Sequence, residues 1–267
     1  AGWSLKTLEQ GASKPSQPAE QRDAPSPTRP FPSLEPLAVG DTVLVRTPQQ
    51  LVGLKWDTGQ ALWKYPWKAA QDGGGRTGAD ERFQGEGELR THQRTWRDAL
   101  YGQMSSDGRR VFFIDGLESV FEGAPVNLMM RGAVFVFRAL PHALGMPNRL
   151  VALDLNREGA LAWAVGGENG EDEPKLAGAF FLGPPLPCGP WLYVLAEIKE
   201  EVFLCALDSS SGSLEWSQAV AHPRVSVFRD SGRRLAGAVP SMAEGVIVCP
   251  TSAGAVVAVD RQTRSLL

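Results

Sequence analysis

The residues of this 267-residue sequence whose types and spacing could do chemistry are three histidines, three cysteines, an acidic run, a glycine-rich loop and two arginine pairs. His92, His142 and His222 stand far apart, with no H-x-H or H-x-x-x-H pair to grip a metal. Cys188, Cys205 and Cys249 are odd in number and lack C-x-x-C spacing, which argues against a zinc site or a disulfide framework. Cys205 and Cys249 fall in apolar, strand-like runs and Cys188 in a Pro/Gly-rich turn, so all three read as free thiols that pack as small hydrophobes. The run Glu168-Asn169-Gly170-Glu171-Asp172-Glu173 lacks the alternation of a calcium loop and reads as a solvated loop. Asp72 to Gly78 is glycine-rich but lacks the GK[ST] ending of a phosphate loop and the strand and helix that frame one. No G-x-S-x-G elbow is present. Arg109-Arg110 and Arg233-Arg234 each precede a strand-like run and read as solvated hairpin charges. The sequence therefore predicts no catalytic residue, no cofactor site and no metal site.

Composition narrows the function classes further. A formal net charge of −3 gives no general basic field for nucleic acid. The longest mostly apolar stretch, Val246 to Val259, is too short for a helical membrane span and is broken by Pro250, Thr251 and Ser252. No basic segment followed by an apolar one opens the sequence, so the protein is either cytosolic or has a targeting segment upstream, and we expect the second. Residues 1–33 carry Pro at 15, 18, 25, 27, 30 and 32 among Ser, Gln and Glu, and read as a linker that cannot fold alone.

From 34 onward, short β-branched and aromatic runs alternate with Gly, Pro, Asp and Ser clusters, which predicts an all-β chain. One unit recurs four times: a turn, a strand, a second strand ending near Ala-Leu-Asp, a Gly turn, and a closing Trp. The first copy runs Thr42–Val45, Leu51–Lys55, Thr58-Gly59 and Trp63. The second has Arg110–Ile114, Leu150–Asp154, Gly159 and Trp163. The third has Trp191–Leu195, Val202–Asp208, Ser211-Gly212 and Trp216. The fourth has Gly245–Cys249, Ala255–Asp260 and Thr263. The strands are apolar almost continuously, as sheets covered on both faces are. Asp before Ser/Thr-Gly is a turn signal, and a closing indole buries a large area against a neighbouring sheet. On that basis Trp216→Ala is expected to cost about 3–5 kcal/mol, with Trp63 and Trp163 alike.

These residues resemble the quinoprotein-like propellers, whose repeat is the tryptophan-docking motif A-x-D-x-x-T-G-x-x-x-W. Ala206, Asp208, Ser211, Gly212 and Trp216 match it with one conservative change. Ala258, Asp260 and Thr263 match with Arg264 in place of Gly, and Gly53, Lys55, Thr58, Gly59 and Trp63 match with Gly for Ala and Lys for Asp. The copy with Asp154 and Trp163 carries one extra residue. Leu176 to Pro187 and Val248 to Asp260 are also similar to multi-domain propellers of the planctomycete type. The resemblance implies a partial β-propeller of about four blades, each a four-stranded antiparallel sheet, near 34–67, 98–166, 178–220 and 235–267. The last would be incomplete, with its Trp expected directly after Leu267 and further blades in the parent chain. A degenerate extra blade between Trp63 and Trp163 is the alternative to two insertions there.

The family's members include dehydrogenases that hold pyrroloquinoline quinone and calcium, and the outer-membrane-assembly lipoprotein, which presents loops to protein partners. The dehydrogenases' vicinal disulfide has no counterpart here, because no two cysteines are adjacent. The resemblance thus implies a non-catalytic binding or scaffold module of a larger exported, periplasmic protein. Its partner would be another protein or a small ligand, together with the remaining blades of its own chain. The alternative is part of a quinone- and calcium-dependent dehydrogenase completed elsewhere. The insertion from Gly116 to Pro147 places Met129, Met130, Phe135 and Phe137 outside the repeat. Such residues fold back onto the blade, which we expect, or form a partner surface.

Overall fold

The computed structural model describes residues 35–47, 50–66, 99–116, 125–130, 133–138, 147–170 and 172–267, with the strands between 125 and 138 described by their backbone alone. Segment 1–33 and the glycine-rich loop from Asp72 to Gly78 lie outside the described residues. The chain divides into two units, Ala1–Asp98 and Ala99–Leu267.

The first unit holds one antiparallel meander of β1 (Leu37–Val39), β2 (Thr42–Arg46), β3 (Gln50–Lys55) and β4 (Ala61–Pro66). Val43, Val45, Val52 and Leu54 form its buried cluster.

The second unit opens with helix α1 (Ala99–Gly102) and then builds a sheet from β5 (Met104–Ser106) and β6 (Arg110–Asp115). The inserted strands β7 (Pro125–Met130) and β8 (Ala133–Arg138) pair with each other as a separate two-stranded hairpin. The sheet then resumes with β9 (Arg149–Asp154) and β10 (Ala160–Gly166), in the order β5-β6-β9-β10. In the third sheet, β11 (Phe180–Phe181) and β12 (Leu186–Cys188) share the same edge of β13 (Trp191–Ile198), followed by β14 (Glu201–Asp208) and β15 (Leu214–Ala221). Cys188 therefore ends a strand, paired with Trp191, where the sequence suggested a turn. Helix α2 (Ser231–Ala236) leads to the fourth sheet of β16 (Ser241–Ala243), β17 (Val246–Pro250) and β18 (Val256–Asp260), beyond which Val259 bridges Leu266.

The chain is thus all-β and a partial β-propeller, its blades being sequential antiparallel meanders. Continuous apolar runs mark the strands covered on both faces: Leu192 to Ala196 of β13 are all at most 2% exposed. Two backbone features repeat. The residue after the motif's Asp position donates its N–H to the carbonyl just before the second strand: Trp56 to Asp41, Leu155 to Arg109, Ser209 to Pro190 and Arg261 to Gly245, at 2.8–2.9 Å. The register also slips by one residue before each Trp, between Leu54/Ala61 and Gly53/Trp63, Leu161 and Trp163, and Leu214 and Trp216. Such a bulge bends and twists the strand locally, which re-aims the indole that follows.

Candidate functional site

The motif residues sit in the turn that follows the third strand of each sheet, and those of the second unit build the candidate site. Asp208 accepts at Oδ1 from the backbone N–H groups of Ser210 and Ser211, both 2.9 Å, and from both their hydroxyls. Asp260 repeats this with Gln262 N at 2.9 Å, Thr263 N at 2.6 Å and Thr263 Oγ1 at 2.9 Å. Donors aimed at a carboxylate favour its charged form. The Ser210 hydroxyl and the other turn donors hold the Asp208 carboxyl below its ordinary value, and the Thr263 and Gln262 donors do the same for Asp260. Asp154 accepts from Asn156 N at 2.9 Å, and the extra residue of that copy is absorbed by a 3-10 turn over Leu155–Arg157 with Glu158 at φ 53°. In the first unit Lys55 replaces the Asp, and the turn is closed by its backbone, Gly59 N to Lys55 O at 2.8 Å.

Between the second and third sheets, Trp163 is 8% exposed and donates its indole N–H to the Ser209 carbonyl at 3.1 Å. A Cβ on Gly212 would fall 2.7 Å from Cε3 of Trp163, so this left-handed position, φ 77°, takes Gly for two separate reasons. The motif therefore sets Trp163 of one blade against Ser209 and Gly212 of the next. Phe112 lies beside the indole with ring centroids 5.8 Å apart. Nearer the start of β9, the buried Asn148 side chain pairs with β11 as a strand would. Its Nδ2 donates to Phe181 O at 2.9 Å, and its Oδ1 accepts from Phe181 N at 2.7 Å.

Between the third and fourth sheets the contacts are charged. Glu197 of β13 is fully buried and accepts from Ser226 Oγ at 2.9 Å and Val227 N at 2.8 Å. Its other oxygen lies 2.8 Å from the Arg233 guanidinium. Arg233 also donates to Val225 O at 2.8 Å and to Ser252 O, in the loop after β17, at 3.1 Å. Arg233 and Arg234 thus sit in helix α2, Arg234 at 5% exposure, and are not the solvated hairpin charges that the sequence suggested. The acidic run is likewise partly tied down: Glu173 accepts from Lys175 N at 3.3 Å and Leu214 N at 3.0 Å.

Trp216 is only partly buried. Tyr193 lies beside it, ring centroids 6.0 Å apart, and the Arg264 guanidinium stands over it at 5.4 Å. Burial pushes the Tyr193 phenol up, opposed by the nearby Arg261 guanidinium. These groups, with Trp191 and Gln262, line an open pocket of about 250 Å³.

The remaining predicted residues are dispersed. Trp63 lies over Gly53 of its own sheet, where a Cβ would come within 2.4 Å of the indole. The side chains of Met129, Met130, Phe135 and Phe137 lie outside the described residues, as do His92 and His142. His222 is exposed, 3.9 Å from a Glu201 oxygen. Burial pushes Cys205 up to about 12 and Cys249 to about 11, values of packed, unreactive thiols. Asn148, Glu197, Arg233, Arg261 and Arg264 had no repeat signal beyond Arg264's departure from the motif.

Fold and repeat together describe a partial β-propeller segment. Residues 147–267 match a family model, PQQ_2, described as outer membrane protein assembly factor BamB. No curated protein matches the chain. Among solved structures, it is similar to a europium-containing methanol dehydrogenase at 12% identity and TM-score 0.45, covering 89% of this chain and 42% of that one. It is also similar to quinohemoprotein alcohol dehydrogenase from Comamonas testosteroni, at 12% identity and TM-score 0.47, covering 90% and 34%. BamB from Moraxella catarrhalis gives 13% identity and TM-score 0.32, covering 87% and 58%. The chain thus spans 34–58% of the length of these proteins.

Proposed function

We propose that the chain is a non-catalytic binding or scaffold segment of a larger exported propeller protein, presenting loops and blade junctions to a protein or small ligand. The observation that supports this is how the carboxylates of the repeat are used. Asp154, Asp208 and Asp260 each give Oδ1 to the N–H groups of their own turn, and Glu197 is neutralised by Arg233. A carboxylate oxygen that already accepts such bonds has less capacity left for a ligand. The periplasmic setting rests on the family description, an outer membrane protein assembly factor. For the β7–β8 hairpin, with Met129, Met130, Phe135 and Phe137, folding back onto its blade is the reading we keep, with a partner surface as its alternative.

The test is a titration with pyrroloquinoline quinone and calcium, read by quinone absorbance and melting temperature. No saturable change is expected. A bound chromophore with a raised melting temperature would overturn this reading in favour of a dehydrogenase segment.

A further inference from the structure

In the turn at Asp208, glycine leaves room for the indole of the preceding blade. In the turn at Asp260 the matching place holds Arg264, at φ 62°, and Trp216 meets a guanidinium instead. Trp163 gives its N–H to Ser209 O, whereas the N–H of Trp216 has no hydrogen-bond partner among the described residues. An open pocket of about 250 Å³ lies beside Trp216 and Arg264.

The chemistry of this pocket is specific. Arg261 and Arg264 supply two guanidinium groups, Gln262 an amide and Trp216 an indole N–H. No carboxylate is among the lining residues, and the nearby Asp208 and Asp260 are bonded to their own turns. Trp191, Tyr193 and Trp216 supply flat apolar faces. The stacking of Arg264 on Trp216 places one cation against the indole, and Arg261 lines the same pocket. Guanidinium forks match carboxylates, and indole and phenol rings stack on planar bodies.

We propose that this pocket binds a carboxylate carried on a flat apolar body, either a free aromatic acid or the aromatic C-terminal residue of a peptide. The inference rests on the binding-module reading, which does not depend on it.

The experiment follows the indole N–H resonances of the ¹⁵N-labelled chain during titration with benzoate, benzamide, Gly-Gly-Phe and its C-terminal amide. The resonance of Trp216, assigned by its loss in Trp216→Phe, is expected to shift saturably with benzoate and not with benzamide. Arg261→Ala and Arg264→Ala should each weaken binding about tenfold, the usual size of a lost charge-assisted bond. Both side chains are exposed, and an unshifted Trp163 resonance verifies that the fold persists. Tighter binding of Gly-Gly-Phe than benzoate, abolished by amidation, assigns the peptide source; equal binding of the two assigns the free acid. A linear response, an equal response to benzamide, or unchanged binding in both arginine variants overturns the proposal. Any of these removes the pocket alone, because only the quinone titration bears on the reading beneath it.

Discussion

Between the second and third blades the chain is joined by neutral groups: an indole against a glycine, an indole N–H on a carbonyl, and an asparagine acting as a strand. Between the third and fourth it is joined by a buried ion pair, while the indole stands against a cation at the edge of a pocket. The same repeat produced both. One position accounts for the change at the indole, Gly212 in one turn and Arg264 in the other. A motif residue can therefore keep its place in the strand and lose its docking contact, and the junction is then closed by residues from the connecting segment.

Removing the two indoles would break this comparison most directly. Trp163→Ala is expected to cost about 3–5 kcal/mol, as buried aromatic truncations do. Trp216→Ala should cost about 1–2 kcal/mol, because the side chain is partly solvated and undocked. Equal losses in urea denaturation would show that the junctions are not different. The structure thus lowers the equal cost that the sequence suggested for the two.

At the ionic junction, Glu197→Gln should cost about 3 kcal/mol, since it leaves the Arg233 charge with no opposite charge in a buried place. Little of that loss should depend on salt, because burial weakens screening. A loss that vanishes in high salt would mean the pair is solvated. Gly212→Ala comes next, at about 2 kcal/mol, from crowding against Trp163 together with a left-handed backbone. Gly245→Ala, at φ 83° with nothing within 4 Å of its Cβ, carries the backbone strain alone and should cost about half as much. The difference between the two reads the indole contact.

Arg264→Gly sharpens the comparison from the other side. It relieves a left-handed non-glycine residue and removes a cation-π contact, for a net gain of about 0.5 kcal/mol in melting stability. It should also bring the Trp216 indole toward the environment of Trp163. The smallest effect concerns pH. The Asp208 and Asp260 carboxyls lie below the ordinary 3.8, so their contribution is complete above that value and is lost as pH falls through the lower folded value. The double variant Asp208→Asn, Asp260→Asn should show a shallower loss of stability on acidification below about pH 4.

Strands such as β6 and β13 were legible because sheets covered on both faces carry unbroken apolar runs, Val111 to Ile114 and Leu192 to Ala196. Gly212 and Asp208 stood out because their roles, a left-handed turn and an acceptor for the turn's N–H groups, admit few side chains. Glu197 gave no such signal. Its neutralising partner lies 36 residues later in a six-residue helix with no apolar periodicity to announce it. Arg233-Arg234 looked solvated because sequence does not reveal which carbonyls, here Val225 and Ser252, converge on a guanidinium. Asn148 is ordinary in type, and only the approach of β11 gives its amide a function.

The bond from Trp56, Leu155, Ser209 or Arg261 to the turn before the second strand is made by main-chain atoms alone. It persists where Lys55 replaces the aspartate and where the second copy carries an added residue. Selection on side chains cannot see such a bond, so the letters of the turn are free to drift while the hairpin keeps its shape. The main-chain bond therefore marks a copy of the repeat even where its letters differ, as at Lys55 in the first copy and at the added residue of the second.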